Sequence, residues 1–501
     1  MISMLIRLVT VYSPRVSDRR LILSPTGPDV SSQHYRLGDG GLFDRDREVG
    51  HTDTVRFSLV LSWMDTVSPA DRNPADLGIA DAARALATGA LTSRALVKAC
   101  LDRIDADDPV LKAFIYVASD LALDEAERSD ARRHEGAPMS PLDGVPIALK
   151  DNIDVVGQPT TNGLGMSFMP TQDAGVVTLL RERGLILIGK ANMHEGALGA
   201  TTNNLHHGRT DNPAAPGHTP GGSSGGSSAA VAGRLCPGAL GTDTMGSVRL
   251  PATYCGIVGL KPSRGHWPNG GVAPLSSTLD TVGPMARTVE DTAMLIDLPH
   301  ARIALDRVVL VAIENIDDSD MESDVLDAYQ AALGRLRSAG VTIRRVRLAN
   351  YDPSPARRAG LIISEVEGAV AHEAMMRARP EAFSDGFRAM LDYGATVTAS
   401  KYVKALREVE HIGAAFAGIL EHVDGIVGPG APHQAFAFDT PVPVNQADFT
   451  APANFAGCPG ISLPIPLPAG TRPVGLHLMA GLGRDVHLLG IAAGVENLLN
   501  A

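Results

Sequence analysis

"TPGGSSGGSSAAVAG", residues 219–233, and "GTDTMGSVRLP", residues 241–251, decide how this chain is read. Only "RLCPGAL" lies between them, room for one short crossing strand. The first loop runs straight into Ala-rich sequence of good helix propensity. It therefore reads as a Gly-rich turn feeding a helix N-terminus, where free N–H groups and the helix dipole favour negative charge. A phosphate-binding loop would need a lysine after its last glycine, and none is present. Gly222, Ser224 and Gly226 match G-x-S-x-G, but a nucleophile elbow follows a buried strand, whereas "NPAAPGHTP" precedes this one. That leaves an α/β-hydrolase built on Ser224 a distant alternative. A flexible Gly/Ser linker fails to explain why apolar, periodic sequence resumes at once on both sides.

Outward from these loops the chain alternates helical and strand patterns. "LTSRALVKACLDRI" begins with Thr92 or Ser93 as N-cap and sets Val97, Leu101 and Ile104 on one helical face. "GVPIALKDNIDVV" carries the apolar run of a strand, interrupted by Lys150. "AGVVTLLRERG" predicts a helix ending at Gly184, followed at once by the strand "LILIGK". Further strands are predicted at "RVVLVAI", "VTIRRVRL", "GIVGPGAP", "PGISLPIPL" and "PVGLHLMA". Strands separated by helices predict a single large α/β/α domain around a mixed, mostly parallel β-sheet. No linker divides the region, so residues 66–501 are expected to form one catalytic domain. Residues 1–65 lack either periodicity and read as a weakly ordered extension or a misassigned start; a further methionine, Met64, stands just before the helical pattern begins.

Composition narrows the function. The 501 residues carry a net charge of −12 without a long basic run, which argues against nucleic acid or an anionic membrane as partner. Cys100, Cys236, Cys255 and Cys458 are scattered, as free thiols in a reducing compartment would be. No apolar run approaches the roughly 18 residues of a membrane span. The N-terminus makes a poor signal peptide, so the expected compartment is the cytoplasm.

Five blocks then carry a resemblance. "LDGVPIALKDNIDV", "LILIGKANMHEGALG", "TPGGSSGGSSAAVAG", "ALGTDTMGSVRLPATYCGIVGLKPS" and "NFAGCPGISLPIP…PVGLHLMAG" together resemble the amidase signature family, in its order and spacing. The resemblance implies a triad of Lys150 as base, Ser223 as bridging serine on a cis peptide bond, and Ser247 as nucleophile. It also implies an oxyanion hole from the backbone N–H groups of Thr244, Met245, Gly246 and Ser247, with Asp243 and Arg249 bracing the loop. Asp243 and Arg249 could equally form a surface ion pair of little worth.

The chemistry fits these residue types. A serine hydroxyl needs a neighbouring base, and no histidine occupies the segments that carry Lys150, Ser223 and Ser247. Lysine serves only if burial makes it neutral, since its ordinary pKa is about 10.4. Acyl transfer through Ser247 then requires no metal or cofactor. The expected function is hydrolysis of a small-molecule amide, with homodimerisation left open. Two alternatives stand beside it: the glutaminase subunit of a tRNA-dependent amidotransferase, and a catalytically impaired scaffold.

Met245 departs from the family, which usually has glycine there. At positive φ it would cost about 1–2 kcal/mol; at ordinary φ its N–H donates as well as glycine's. Its side chain would then lie against the acyl pocket or behind the loop. Substrate-binding residues stay unassigned within 315–450, where aromatic stacking would rest on Phe436 and Phe438. His206, His207 and His218 show no metal-ligand spacing.

Overall fold

The short apolar runs of the sequence become strands of one large sheet. The computed structural model describes residues 73–501 and, before them, β1 (Ile6–Leu8), β2 (Arg20–Pro25) and β3 (Gln33–Arg36), paired antiparallel in that order. The remainder of 1–65, read above as an extension or misassigned start, lies outside the described residues. Two units divide the chain, Met1–Thr66 and Val67–Ala501.

In the larger unit β4 (Phe114–Val117), β5 (Pro146–Lys150) and β6 (Ile186–Ala191) come first, then a separate small hairpin of β7 (Asn203–Asn204) and β8 (Gly208–Arg209). They are followed by β9 (Gly238–Asp243), β10 (Val258–Lys261), β11 (Thr281–Ala286), β12 (Val309–Ile313) and β13 (Thr342–Val346). Last come β14 (Gly425–Pro429), β15 (Gly460–Ile465) and β16 (Val474–Met479). Eleven of them form a sheet in the order β13-β12-β14-β16-β15-β10-β11-β9-β5-β6-β4, flanked by helices.

The sheet is mixed, as expected, but its balance is antiparallel. Parallel pairing is confined to β13/β12/β14 and β9/β5/β6, four of the ten neighbouring pairs; the other six are antiparallel. The physical reason shows at β15 and β16. Only residues 466–473 join them, too few for the crossover of about a dozen residues that a parallel pair needs, so the chain turns straight back.

Local sequence accounts for the pieces around the site. Thr92 caps its helix by accepting the Ala95 N–H at 3.1 Å, and Val97, Leu101 and Ile104 are buried as their spacing requires. β5 is buried along its whole length between β9 and β6, which is why its apolar run does not alternate. The Ala-rich segment after the first loop is the helix Gly225–Ala232, and the second loop opens the helix Arg249–Cys255. Two long helices, Pro353–Ala378 and Ala399–Leu420, pack on each other and close over a second apolar cluster containing Ile363, Ile412 and Phe455. No helix of the described residues is long and apolar enough to cross a membrane.

Candidate active site

Because β5 and β9 run parallel, with Leu149 opposite Leu240, their C-terminal ends emerge side by side. β5 ends on Lys150 and β9 on Thr242 and Asp243. Lys150 is fully buried. Its Nζ lies 2.7 Å from Ser223 Oγ and 2.7 Å from Thr242 Oγ1. Thr242 Oγ1 also accepts from Asn152 Nδ2 at 3.1 Å. Burial pushes the Lys150 amine down from 10.5 to about 7, against the opposing pull of Asp280 and Asp243. A neutral amine here can accept a proton from Ser223 while donating to Thr242.

Ser223 follows Gly222 through a cis peptide bond. Its carbonyl accepts the His194 N–H at 3.0 Å. Glycine at 222 has a steric cause: a Cβ there would come within 2.7 Å of the Thr201 backbone nitrogen. Ser224 is fully buried and ties the two loops together. Its N–H donates to the Ser247 carbonyl at 3.2 Å, and its hydroxyl to the Thr242 carbonyl at 3.2 Å. Ser247 is half-buried and forms no hydrogen bond with Ser223 among the described residues.

The loop that carries Ser247 is wound around Asp243. Both Asp243 and Arg249 are fully buried, so the surface-ion-pair alternative does not hold. Arg249 clamps the carboxylate through Nη2–Oδ1 at 2.9 Å and Nε–Oδ2 at 3.1 Å. Its remaining N–H groups reach the Thr450 carbonyl, Asn454 Oδ1 and His477 Nε2. Burial alone would raise the Asp243 pKa; the Arg249 charge and hydrogen bonds outweigh it and hold the carboxyl well below its usual range. Burial and the neighbouring Arg249 likewise keep His477 neutral.

Asp243 also corrects the expected oxyanion hole. The Gly246 N–H donates to Asp243 Oδ1 at 2.7 Å and is thereby spent on holding the loop. The N–H groups of Thr244, Met245 and Ser247 have no acceptor among the described residues. Gly246 is required by its backbone, at φ +141°, and by space, since a Cβ would meet Thr450 Oγ1 at 2.2 Å. Met245 is not among the residues of positive φ, so its side chain brings no backbone strain. Its carbonyl accepts from Thr450 Oγ1 at 2.6 Å, and its half-buried side chain packs on the second apolar cluster. Thr244 is anchored by its hydroxyl, which donates to Asp280 Oδ1 at 2.6 Å.

Thr242, Asn152, Asp280, Asn454, Thr450 and His477 were not singled out in the sequence. Thr242 had a local signal, standing beside Asp243 in the quoted loop. Asn152, Asn454 and His477 also stand inside the quoted blocks, whereas Asp280 and Thr450 come from segments with no motif of their own. The histidines His206, His207 and His218 make separate contacts, to Glu195 Oε1, the Leu164 carbonyl and the Pro216 carbonyl respectively. Phe436 is buried edge-on against Tyr254, and Arg209 lies over the Phe438 ring at 4.2 Å. Both rings are thus occupied by protein groups.

Known proteins share this arrangement of the chain. A family model described as Amidase matches residues 95–307 and 297–489. One glutamyl-tRNA(Gln) amidotransferase subunit, from Synechococcus sp. (strain CC9605), is 33% identical over 453 residues, 80% of this chain and 92% of that one. A crystal structure described as an amidase superposes with a TM-score of 0.80 at 30% identity, covering 84% of this chain and 100% of its own. The peptide amidase of Stenotrophomonas maltophilia superposes with a TM-score of 0.74 at 27% identity, covering 85% and 97%.

Proposed function

Because the chain belongs to the amidase signature family, whose members hydrolyse C–N bonds, we propose that it is an amidase acting on small-molecule amides through a serine acyl-enzyme. The observation that carries this reading is the fully buried Lys150 amine, 2.7 Å from Ser223 in a pocket that favours its neutral form. Ser247 attacks the amide carbonyl, passing its proton to Ser223 Oγ as Ser223 passes its own to Lys150 Nζ. The oxyanion is received by the free N–H groups of Thr244, Met245 and Ser247. Lys150 returns the proton through Ser223 to the nitrogen as the C–N bond breaks. Water then attacks the acyl-enzyme by the same relay in reverse and releases the carboxylic acid.

The test is a screen of varied amides for released ammonia or amine, beside labelling by a fluorophosphonate. The wild-type chain alone should turn over an amide and be labelled, and Ser247→Ala should lose both, with turnover falling about 10³-fold or more. A wild-type protein that takes no label would point instead to a scaffold. One further reading has support of its own, the 33% identity to an amidotransferase component. On that reading the chain alone turns over no simple amide, and releases ammonia from free glutamine only once partner chains are present.

A further inference from the structure

A Cβ built on Gly360 would lie 2.5 Å from Met245 Sδ and 2.9–3.0 Å from the Phe455 ring. The thioether of the nucleophile loop therefore rests in a notch on the helix Pro353–Ala378 that exists only because residue 360 is glycine. The same helix reaches the site's other supports. Glu367 accepts hydrogen bonds from Ser276 Oγ, the Thr278 N–H and Tyr402 Oη, pinning the loop that leads to Asp280 and thus to Thr244.

We propose that Met245, seated on Gly360, is the wall of the acyl side of the site and restricts it to short, unbranched acyl groups. The inference rests on the amidase reading above. An oxyanion held by the Met245 N–H lies about 3 Å from that nitrogen, so the first carbons of the Met245 side chain stand beside whatever the carbonyl carbon bears. Which substituent that is follows from the relay. Ser223 is held by Lys150 Nζ and the His194 N–H, and its neighbour Gly222 packs on the Ala200–Thr201 backbone; the departing amine must leave on that side to collect its proton. Met245 shares none of those neighbours. It faces Gly360, Phe455 and Thr450, so the group it faces is the acyl chain.

The two sides of the wall can be altered separately. Met245→Ala removes the thioether and keeps an ordinary backbone and its N–H. Gly360→Ala keeps Met245 but drives its flexible tip out of the notch toward the substrate. The measurement is kcat/KM for acetamide, butyramide, hexanamide and 3-methylbutyramide. Met245→Ala should raise the hexanamide-to-acetamide ratio by about 10-fold or more, and Gly360→Ala should lower it. The two variants moving all four amides by one common factor would overturn the proposal, since Met245 would then only brace the loop. If Met245→Ala does not fold, Gly360→Ala decides alone: a ratio equal to wild type overturns the wall. Failure of the amidase reading shows earlier and differently, as a wild-type protein that cleaves no amide and takes no fluorophosphonate.

Discussion

Phosphonylation of Ser247 should report the protonation of Lys150 directly, with no need to know the substrate. Lys150 is fully buried and its amine is pushed down from 10.5 to about 7. That shift corresponds to about 5 kcal/mol of preference for the neutral form, taking 1.36 kcal/mol per unit. At pH 7.5 a base of pKa 7 is about three-quarters neutral, whereas an ordinary lysine is neutral about once in a thousand molecules. Burial thus supplies a gain of several hundred-fold in available base. The second-order rate of fluorophosphonate labelling should rise about tenfold per pH unit below 7 and level off above it. Labelling that keeps rising to pH 10, or shows no limb below 7, would refute the reasoning.

The same shift has a stability counterpart whose sign can be worked out. The folded pKa lies below the unfolded one, so between about pH 7 and 10.5 the unfolded chain holds the extra proton. Stability gains from this group as pH rises through that window, and the penalty is fully present below pH 7. Lys261 is shifted in the same direction by burial, so the difference between wild type and Lys150→Met isolates the contribution of Lys150.

Two further substitutions probe the loop. Asp243→Asn leaves Arg249 buried without its counter-charge; a loss of about 3–5 kcal/mol is expected, read as a lower thermal midpoint together with slower labelling. An unchanged midpoint would mean that Asn454 and His477 suffice to hold the guanidinium. Gly246→Ala meets both the +141° φ and Thr450 Oγ1, a strain of about 1–3 kcal/mol that the loop must relieve by moving. Displacement of Ser247 by about 1 Å should slow labelling about 100-fold; a wild-type rate would show that the loop tolerates a side chain at 246.

Much of the site was legible in the sequence because its pieces are local. A Gly/Ser turn running into an Ala-rich helix, a strand ending on lysine and a serine two residues before arginine each announce themselves within a dozen residues. Their resemblance, in order and spacing, to the amidase signature blocks nominated Lys150, Ser223 and Ser247. The predicted strands fell where the apolar runs were. The direction of their pairing did not follow from those runs. It depends on which strands become neighbours, and β10, β11, β15 and β16 meet as antiparallel partners in the middle of the sheet.

By itself, then, the sequence determined which residues are candidates for the chemistry and which segments present them, since these depend on residue type and short-range spacing. Tertiary structure alone decided what each group is free to do. The Lys150 amine is pushed toward its neutral form only because neighbouring strands and loops remove its water. The Gly246 N–H is lost to the oxyanion hole because Asp243, three residues back, is turned inward by Arg249 and takes it. Met245 proved compatible with the loop because its φ is ordinary and because a helix more than a hundred residues later offers a glycine where its sulfur must lie. Desolvation, hydrogen-bond competition and steric fit are set by neighbours in space, and those neighbours come from parts of the chain that no local motif connects.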